Sequence, residues 1–351
     1  MHNQSVQVSK AFSMSYDLGS VERLLMVRRK LLLLAGLLVL AASSAAAAAE
    51  QNRSLLTADS SKKRIAIIGE DGATKWEAAI GPLHDLHRLD NGNLLYQENW
   101  TQIVEVDPES GQQVWSYDAK NYPGAAGQRV EVHAFQRLEG GTTMLAISGI
   151  AKIIEVDRAG SVTHELELDV PKPHPHTDTR LVRKLETGNY LVCHESQGRV
   201  TEYNASGEIQ WNYRVPFFGR PEAKGHGLEA FGNKCFSALR LQNGNTLIAT
   251  GNGHSVVEVT PSKEIVWQLG QDELKGIRLA WVTTLQVLPS GNIVIGNCHA
   301  GPENPQVIEI DREKNVVWSF HDFERFGNAT TNTQILTSNA KPIAATMGRD
   351  R

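Results

Sequence analysis

From about residue 54 the chain is a succession of short β-branched stretches in which apolar and polar positions alternate, separated by turns rich in Gly, Asn, Asp and Ser. A period of two is the mark of half-buried strands. One unit recurs six times: an extended apolar stretch, a turn ending in Gly or Lys, and an aromatic residue four positions on. Its copies are Gly72 to Trp76, Gly111 to Trp115, Gly160 to His164, Gly207 to Trp211, Lys263 to Trp267 and Lys314 to Trp318. Upstream of five of them the chain reads IVEVDPESG, IIEVDRAG, VTEYNASG, VVEVTPSK and VIEIDREK, each a strand running into a turn that joins an antiparallel partner. A second element comes about fifteen residues earlier, at Leu89, Leu138, Leu185, Leu241 and Leu288, where NG, GG, TG or SG between apolar residues signals a hairpin. Each unit is therefore four strands, A to B through the second element and C to D through the first. Spacings of 39, 49, 47, 56 and 51 residues between the six copies suit propeller blades better than a helical solenoid.

The first unit, from about Ser54 to Ile80, has no A to B hairpin ahead of it, whereas Thr330 to Asn339 reads as a lone strand A aligned with VTTLQVLPSGN. Pairing that segment with the N-terminal strands, around Arg64 to Ile68, would close a ring and leave no open edge. The expectation is an all-β, six-bladed propeller of four-stranded antiparallel blades over residues 50–340, followed by a disordered tail at 341–351. The register tryptophans are expected to lie buried between blades, with His164 a structural imidazole in the same slot.

Composition adds limits. With 351 residues, 41% of them hydrophobic, and 30 Gly and 13 Pro, the chain has ordinary globular character, which excludes disorder and a multi-span membrane protein. A net charge of -4 provides no basic excess for phosphates, so no nucleic acid partner is expected. Val27 to Lys30 is basic, Leu31 to Ala42 apolar, and a run of small residues follows to Glu50, the order of a secretory signal peptide. Its apolar core is shorter than the ~20 residues of a spanning helix. Residues 1–49 are thus expected to be cleaved, leaving no stable membrane anchor and an exported chain, periplasmic or extracellular. Met26 directly precedes the basic cluster, so residues 1–25 carry no fold argument. Three cysteines, Cys193, Cys235 and Cys298, are odd in number and without metal spacing, so they form no disulfide framework.

Five residues ahead of the A to B leucine, the successive units place His84, His133, Arg180, Phe236, Thr283 and Thr331. In a propeller the innermost strands line the central channel, and the D to A and B to C loops open on one face, so this column faces a common mouth. Loops on a rigid scaffold are where binding residues gather. Those of this face carry Trp100, Arg129, His176, His194, Glu195, His226, Trp281 and His299 as candidate ligand-binding residues. Trp100 and Trp281 lack a place in the repeat; each is either a platform for a planar or sugar ligand or packing beneath a long loop. His84, His133 and Arg180 are the candidate catalytic residues, a histidine as nucleophile or general base and the arginine holding an anionic group. The alternative is a solvated channel wall. HPH at His174 to His176, CHES and NCHAG are weak metal patterns singly, yet converging histidines could hold a transition metal.

The phrase IVEVDPESGQQVWSYDA resembles the PQQ-type (quinoprotein-type) propeller repeat, over Arg64 to about Trp318. PQQ dehydrogenases have eight blades, an adjacent Cys-Cys pair and acidic calcium ligands. With six units and no adjacent cysteines here, the cofactor is not expected to come with the repeat, and no cofactor is expected besides a metal. The LxNGNxL element in six units is closer to the arylsulfotransferase-like branch, in which strand A begins with an HHDF-type stretch; PLHDLHRLDNGN and EVHAFQRLEGG resemble it without the paired histidine. An exported propeller that presents its mouth is read as a binding protein taking a small-molecule or protein ligand at its face; the arylsulfotransferase-like resemblance implies the alternative, a group-transfer enzyme using a channel histidine, and a scaffold of an envelope complex, which needs only the rim, is the third reading.

Overall fold

The computed structural model describes residues 52–339 and 341–342; the segment 1–49 expected to be a signal peptide and residues 343–351 of the expected tail lie outside the described residues. Lys341 and Pro342 fold back onto the strand Thr330–Leu336, Pro342 bridging to Leu336 and the Lys341 carbonyl accepting from the Thr337 N–H. Among the described residues, six four-stranded antiparallel sheets form a six-bladed propeller. Blade 2 is β4 (Leu86–Arg88), β5 (Leu94–Gln97), β6 (Gln102–Val106) and β7 (Gln113–Asp118). Blade 3 is β8 (Glu131–Arg137), β9 (Thr143–Ser148), β10 (Lys152–Val156) and β11 (Val162–Glu167). Blade 4 holds β12 (Val182–Lys184), β13 (Tyr190–His194), β14 (Arg199–Tyr203) and β15 (Ile209–Arg214). Blade 5 holds β16 (Ser237–Arg240), β17 (Thr246–Ala249), β18 (Val256–Val259) and β19 (Ile265–Leu269). Blade 6 consists of β20 (Trp281–Val287), β21 (Ile293–Cys298), β22 (Val307–Ile310) and β23 (Val316–Phe320).

Blade 1 is assembled from both ends of the chain: β24 (Thr330–Leu336), then β1 (Ser54–Asp59), β2 (Arg64–Ile68) and β3 (Thr74–Ala79). Closure is as the repeat implies, but the partner is one strand over. β24 pairs with Ser54–Asp59, not with Arg64–Ile68, because a strand A must meet a strand B, and Arg64–Ile68 is strand C of its blade.

The apolar faces are buried blade against blade. Leu95, Ile103 and Trp115 of blade 2 pack with Val132, Phe135, Ile147 and Ile154 of blade 3, and the other interfaces repeat this. The turns confirm the meaning of the Gly or Lys position: Gly72, Gly111, Gly160, Gly207, Lys263 and Lys314 all have φ between 68 and 85°, the left-handed region that glycine enters without a Cβ clash.

The face carrying these turns is latched by a glutamate in the middle of each of five C strands. Glu105 accepts from Asn93 Nδ2 (2.7 Å) in its own blade and from Arg137 Nη2 (2.7 Å) in the next. Glu202 does so with Asn189 and Arg240, Glu258 with Asn245 and Arg312, and Glu309 with Asn292 and Arg53. Glu155 takes Lys184 and the Tyr190 hydroxyl of blade 4. The register aromatics lie beneath this layer. Arg137 lies 4.6 Å from the Trp115 ring and Arg240 5.2 Å from that of Trp211, while the indole N–H groups of Trp211 and Trp267 donate to backbone carbonyls of the following blade. Only Trp115 is buried, at 8% exposure. Trp76, Trp211, Trp267 and Trp318 are half-buried, which corrects the expectation of full burial, because each stands on the outermost strand of its blade, where most positions are exposed or half-buried. His164 fills the same slot and stacks on Tyr190 at 6.1 Å.

Truncation after Gly327, which removes β24, is expected to abolish recovery of soluble monomer, measured by size-exclusion chromatography; a folded monomer would contradict closure. Trp115→Ala should destabilise by ~3 to 5 kcal/mol, the range for emptying a large core site. Trp267→Ala should cost less, and denaturant midpoints showing equal losses would mean that the burial difference carries no energy.

Candidate functional site

The mouth is built by distortions of the inner strands. β8 carries an extra residue at His133, between Val132 and Ala134, relative to β9; β24 does so at Thr331 and β20 between Val282 and Leu285. His84, Arg180 and Phe236 stand just ahead of β4, β12 and β16. Bulges at such places re-aim side chains, and here they turn the column toward the axis. The His84 and His133 rings lie 4.6 Å apart, His84 and Phe236 6.3 Å, and the Arg180 guanidinium 5.9 Å from Phe236.

Around His84 and His133 the loops add Trp100, stacked on His84 at 5.7 Å, and His176, 5.4 Å from His133 and 5.3 Å from Trp100. Glu131, which the sequence reading did not single out, is the acceptor at the centre. Its Oε2 lies 2.8 Å from His176 Nδ1 and 3.2 Å from His133 Nε2, and its Oε1 takes Arg129 Nη2 at 3.0 Å. Burial alone would raise the Glu131 pKa, but the two imidazoles bring it down to about 2. His133 is fully buried, and burial together with the Arg180 charge lowers its pKa to about 4, outweighing Glu131. His84 is lowered well below its ordinary value by burial and then by the charges of His133 and Arg180. Both rings are neutral at physiological pH. His84 Nδ1 is buried and has no hydrogen-bond partner among the described residues.

Arg180 is held inside the wall. Its guanidinium is ion-paired with Glu195 and donates to His133 Nδ1 (2.9 Å) and the His176 carbonyl (2.6 Å), so its charge is neutralised there and it positions the two histidines. Its Nε is buried without a hydrogen-bond partner among the described residues. Glu195 is correspondingly buried in that pair, with Lys234 Nζ 3.8 Å away. His194 does not reach the mouth: its Nε2 lies 2.9 Å from the Tyr203 hydroxyl and its Nδ1 3.2 Å from the Asp178 carbonyl, and burial lowers its pKa to about 3. A second group lies across the mouth. Exposed His226 stacks on Trp281 at 5.4 Å and meets His299 at 5.5 Å. Trp281 is 7% exposed and packs with Leu181, Phe236 and Cys298 beneath the 217–233 loop, the packing alternative rather than an open platform. All three cysteines are free and buried.

Below the mouth, Asp85 accepts both ends of the Arg183 guanidinium (2.8 and 2.9 Å), joining blades 2 and 4 across the channel, and takes Asn332 Nδ2 of blade 1 at 3.0 Å. His87 Nε2 contacts the Phe135 carbonyl at 2.8 Å, and Gln136, Gln286 and Gln334 bond the next inner strand's backbone. The mouth is therefore a cup with a polar, internally paired floor. Both Glu131 and Asp85 carried a weak sequence signal, an acid within two residues of a column histidine. A cavity of about 980 Å³ opens on the opposite face, but Glu105, Glu155, Arg137, Arg158 and Lys184 in its wall are all engaged in the latches.

The fold and this cup define a PQQ-like repeat propeller with a histidine-rich mouth. The chain belongs to the family described as outer membrane protein assembly factor BamB, which matches residues 61–320. Comparison with curated proteins gives no match. Among solved structures, a protein of unknown function from Bacteroides caccae is similar at TM-score 0.66 and 24% identity, over 80% of this chain and 98% of that one. A virginiamycin B lyase from Staphylococcus aureus, in a catalytically inactive form with quinupristin, is similar at 0.52 and 11%, over 79% and 88%. A streptogramin B lyase gives 0.51 and 10%, over 78% and 83%. At these identities the likeness is one of fold. No helix among the described residues is long and apolar enough to cross a membrane.

Asp85 supplies a pH test. Burial opposes its charge, yet Arg183 and His87 bring its pKa down to about 2. A depressed carboxylate contributes stability that is present above its unfolded value near 3.9 and lost as pH falls through about 2. Asp85→Asn should cost ~3 to 5 kcal/mol at pH 7, the range for breaking a buried pair. The gap from wild type should close as the pH approaches 2; a gap independent of pH would contradict the pairing.

Proposed function

We propose that the chain is an exported binding protein of the cell envelope that receives a ligand or a protein partner at the channel mouth. One observation carries this reading: a buried imidazole nitrogen, His84 Nδ1, is left without a partner beside the half-exposed face of Trp100. A desolvated polar atom without a bond costs roughly 1–3 kcal/mol, a cost a bound group would relieve. The family description favours a protein partner in outer-membrane assembly, and the basic, apolar and alanine-rich order of residues 27–50 supports export. No PQQ is assigned to the cup.

A second reading, sulfuryl transfer, has the neutral His84 in its favour, since an uncharged ring with a free nitrogen is what a nucleophilic imidazole needs. Against it stands Arg180, whose charge is already met by Glu195.

The test places a photo-crosslinking residue at position 100 in one variant and at Val266, on the exposed outer edge of blade 5, in another, with cell fractionation alongside. A defined adduct from position 100 only, in the periplasmic fraction, is the expected result. Identical adducts from both positions, or retention of the chain in the cytoplasm, would overturn it. Purified protein is also assayed with p-nitrophenyl sulfate and a phenol acceptor; turnover lost in His84→Ala would establish the second reading instead.

A further inference from the structure

We infer that Glu131, His133 and His176 form a site for one divalent first-row transition metal ion, held by two imidazoles and a carboxylate with the remaining position open toward the mouth. The inference rests on the mouth being a binding site and gives that site a chemistry. One donor atom from each of the three residues lies within 4.8 Å of the other two. The contacts already formed, 2.8 Å from Glu131 Oε2 to His176 Nδ1 and 3.2 Å to His133 Nε2, are close to the separations that bonds of about 2.0–2.2 Å from one ion would set. Two histidines and one carboxylate with open positions is a donor set that suits zinc or iron and not calcium or magnesium, which prefer oxygen.

The surroundings fit a ligand rather than a core histidine pair. His133 Nδ1 lies 2.9 Å from the Thr179 carbonyl. Arg180 Nη1 lies 2.9 Å from the same nitrogen and can only donate, so in the unloaded site Nδ1 accepts from Arg180 and Nε2–H faces Glu131. Uptake of an ion at Nε2 moves the ring proton to Nδ1, where the Thr179 carbonyl accepts it and orients the ring while Arg180 keeps Glu195 and the His176 carbonyl. His133 sits at the bulge of β8, so its direction is fixed by backbone and not by a flexible loop. His176 is the accessible member, with its side chain 41% exposed, and provides the route of entry. The nearby positive charges are compensated or mobile: Arg180 is paired with Glu195, and Arg129, on the outer oxygen of Glu131, is 78% exposed and free to swing into solvent. His174 of the HPH stretch lies outside the cluster, and its Nδ1 accepts from the His176 backbone N–H. On uptake, any proton on the two metal-facing nitrogens moves to the far nitrogen or to solvent, as metal ligation requires.

The test uses the full chain stripped with a chelator and titrated with Co²⁺, followed by its visible absorption, and with Zn²⁺ by calorimetry. One ion per chain is expected in the wild type and in His174→Ala. His176→Ala should bind ~100-fold or more weakly, at least the loss seen when even an outer partner of a ligand is removed. Because His176 is half-exposed, this variant is expected to fold, and circular dichroism checks it; Glu131→Gln is the second variant if it does not. Absence of single-site uptake by the wild type, or equal affinity in His176→Ala and His174→Ala, would overturn the site. Repeating the position-100 crosslink on stripped and reloaded protein separates the two readings. An adduct without metal uptake refutes the metal alone, and uptake without an adduct refutes the partner reading alone.

Discussion

The pairing of Ser54–Asp59 with Thr330–Leu336 is the contact on which the remainder depends. A blade has two apolar faces and no core of its own, so each face is buried only if a neighbour stands on either side. An open ring would leave blade 1 and blade 6 with bare faces and β1 with a free edge, and free edges invite pairing with other chains. The same strand also reaches the cup. Thr331 Oγ1 donates to the Leu83 carbonyl at 2.6 Å, and Asn332 Nδ2 bonds Asp85 and the His84 carbonyl. The segment that carries His84 is thus held by the C-terminal strand, and the ends of the described chain fix one wall of the candidate site.

Electrostatics then sorts the polar residues near the axis into two kinds. Asp85, Arg183, Arg180 and Glu195 are charged and buried, and each has its opposite within bonding distance. His84 and His133 are buried beside the Arg180 charge and stay neutral, since a second cation in that space would be repelled as well as desolvated. The pairing of Arg180 with Glu195 is what permits this arrangement: a free guanidinium would attract anions, whereas a neutralised one leaves two uncharged imidazoles, His84 and His133, beside the Glu131 carboxylate.

How much of this was legible follows from how each feature is encoded. The blade number, the hairpins and the column from His84 to Thr331 are periodic, and periodicity survives in one sequence. The strand that β24 joins was misjudged by one position, because RIAII reads as a stronger strand than SLLTAD, whose Thr57 and Asp59 look exposed but are buried against β24. Asp85 and Arg183 stand 98 positions apart, and nothing in the local pattern joins them. His194 looked like a mouth residue because it ends a B strand, yet Tyr203 of the next strand draws it inward. The glutamate of IVEV was legible and overlooked. A charged residue in five otherwise apolar strands asks for partners: the Asn after the hairpin Gly supplies one in four blades and the Tyr190 hydroxyl in the other, each with an Arg or Lys from the next blade.

That last feature separates the two faces of the ring. On the turn face the repeat has assigned each of the five strand-C glutamates its amide or hydroxyl and its cation, so the latches run along the wall of the large cavity there. At the mouth the repeat breaks down: the same column holds His, His, Arg, Phe, Thr and Thr, three inner strands carry bulges, and buried atoms such as His84 Nδ1 and Thr283 Oγ1 are left without partners. A fold built from near-identical units has no structural need for four different residue types at one position. The mouth is therefore the face where the symmetry of the repeat is abandoned, and cavity size does not mark it in this ring.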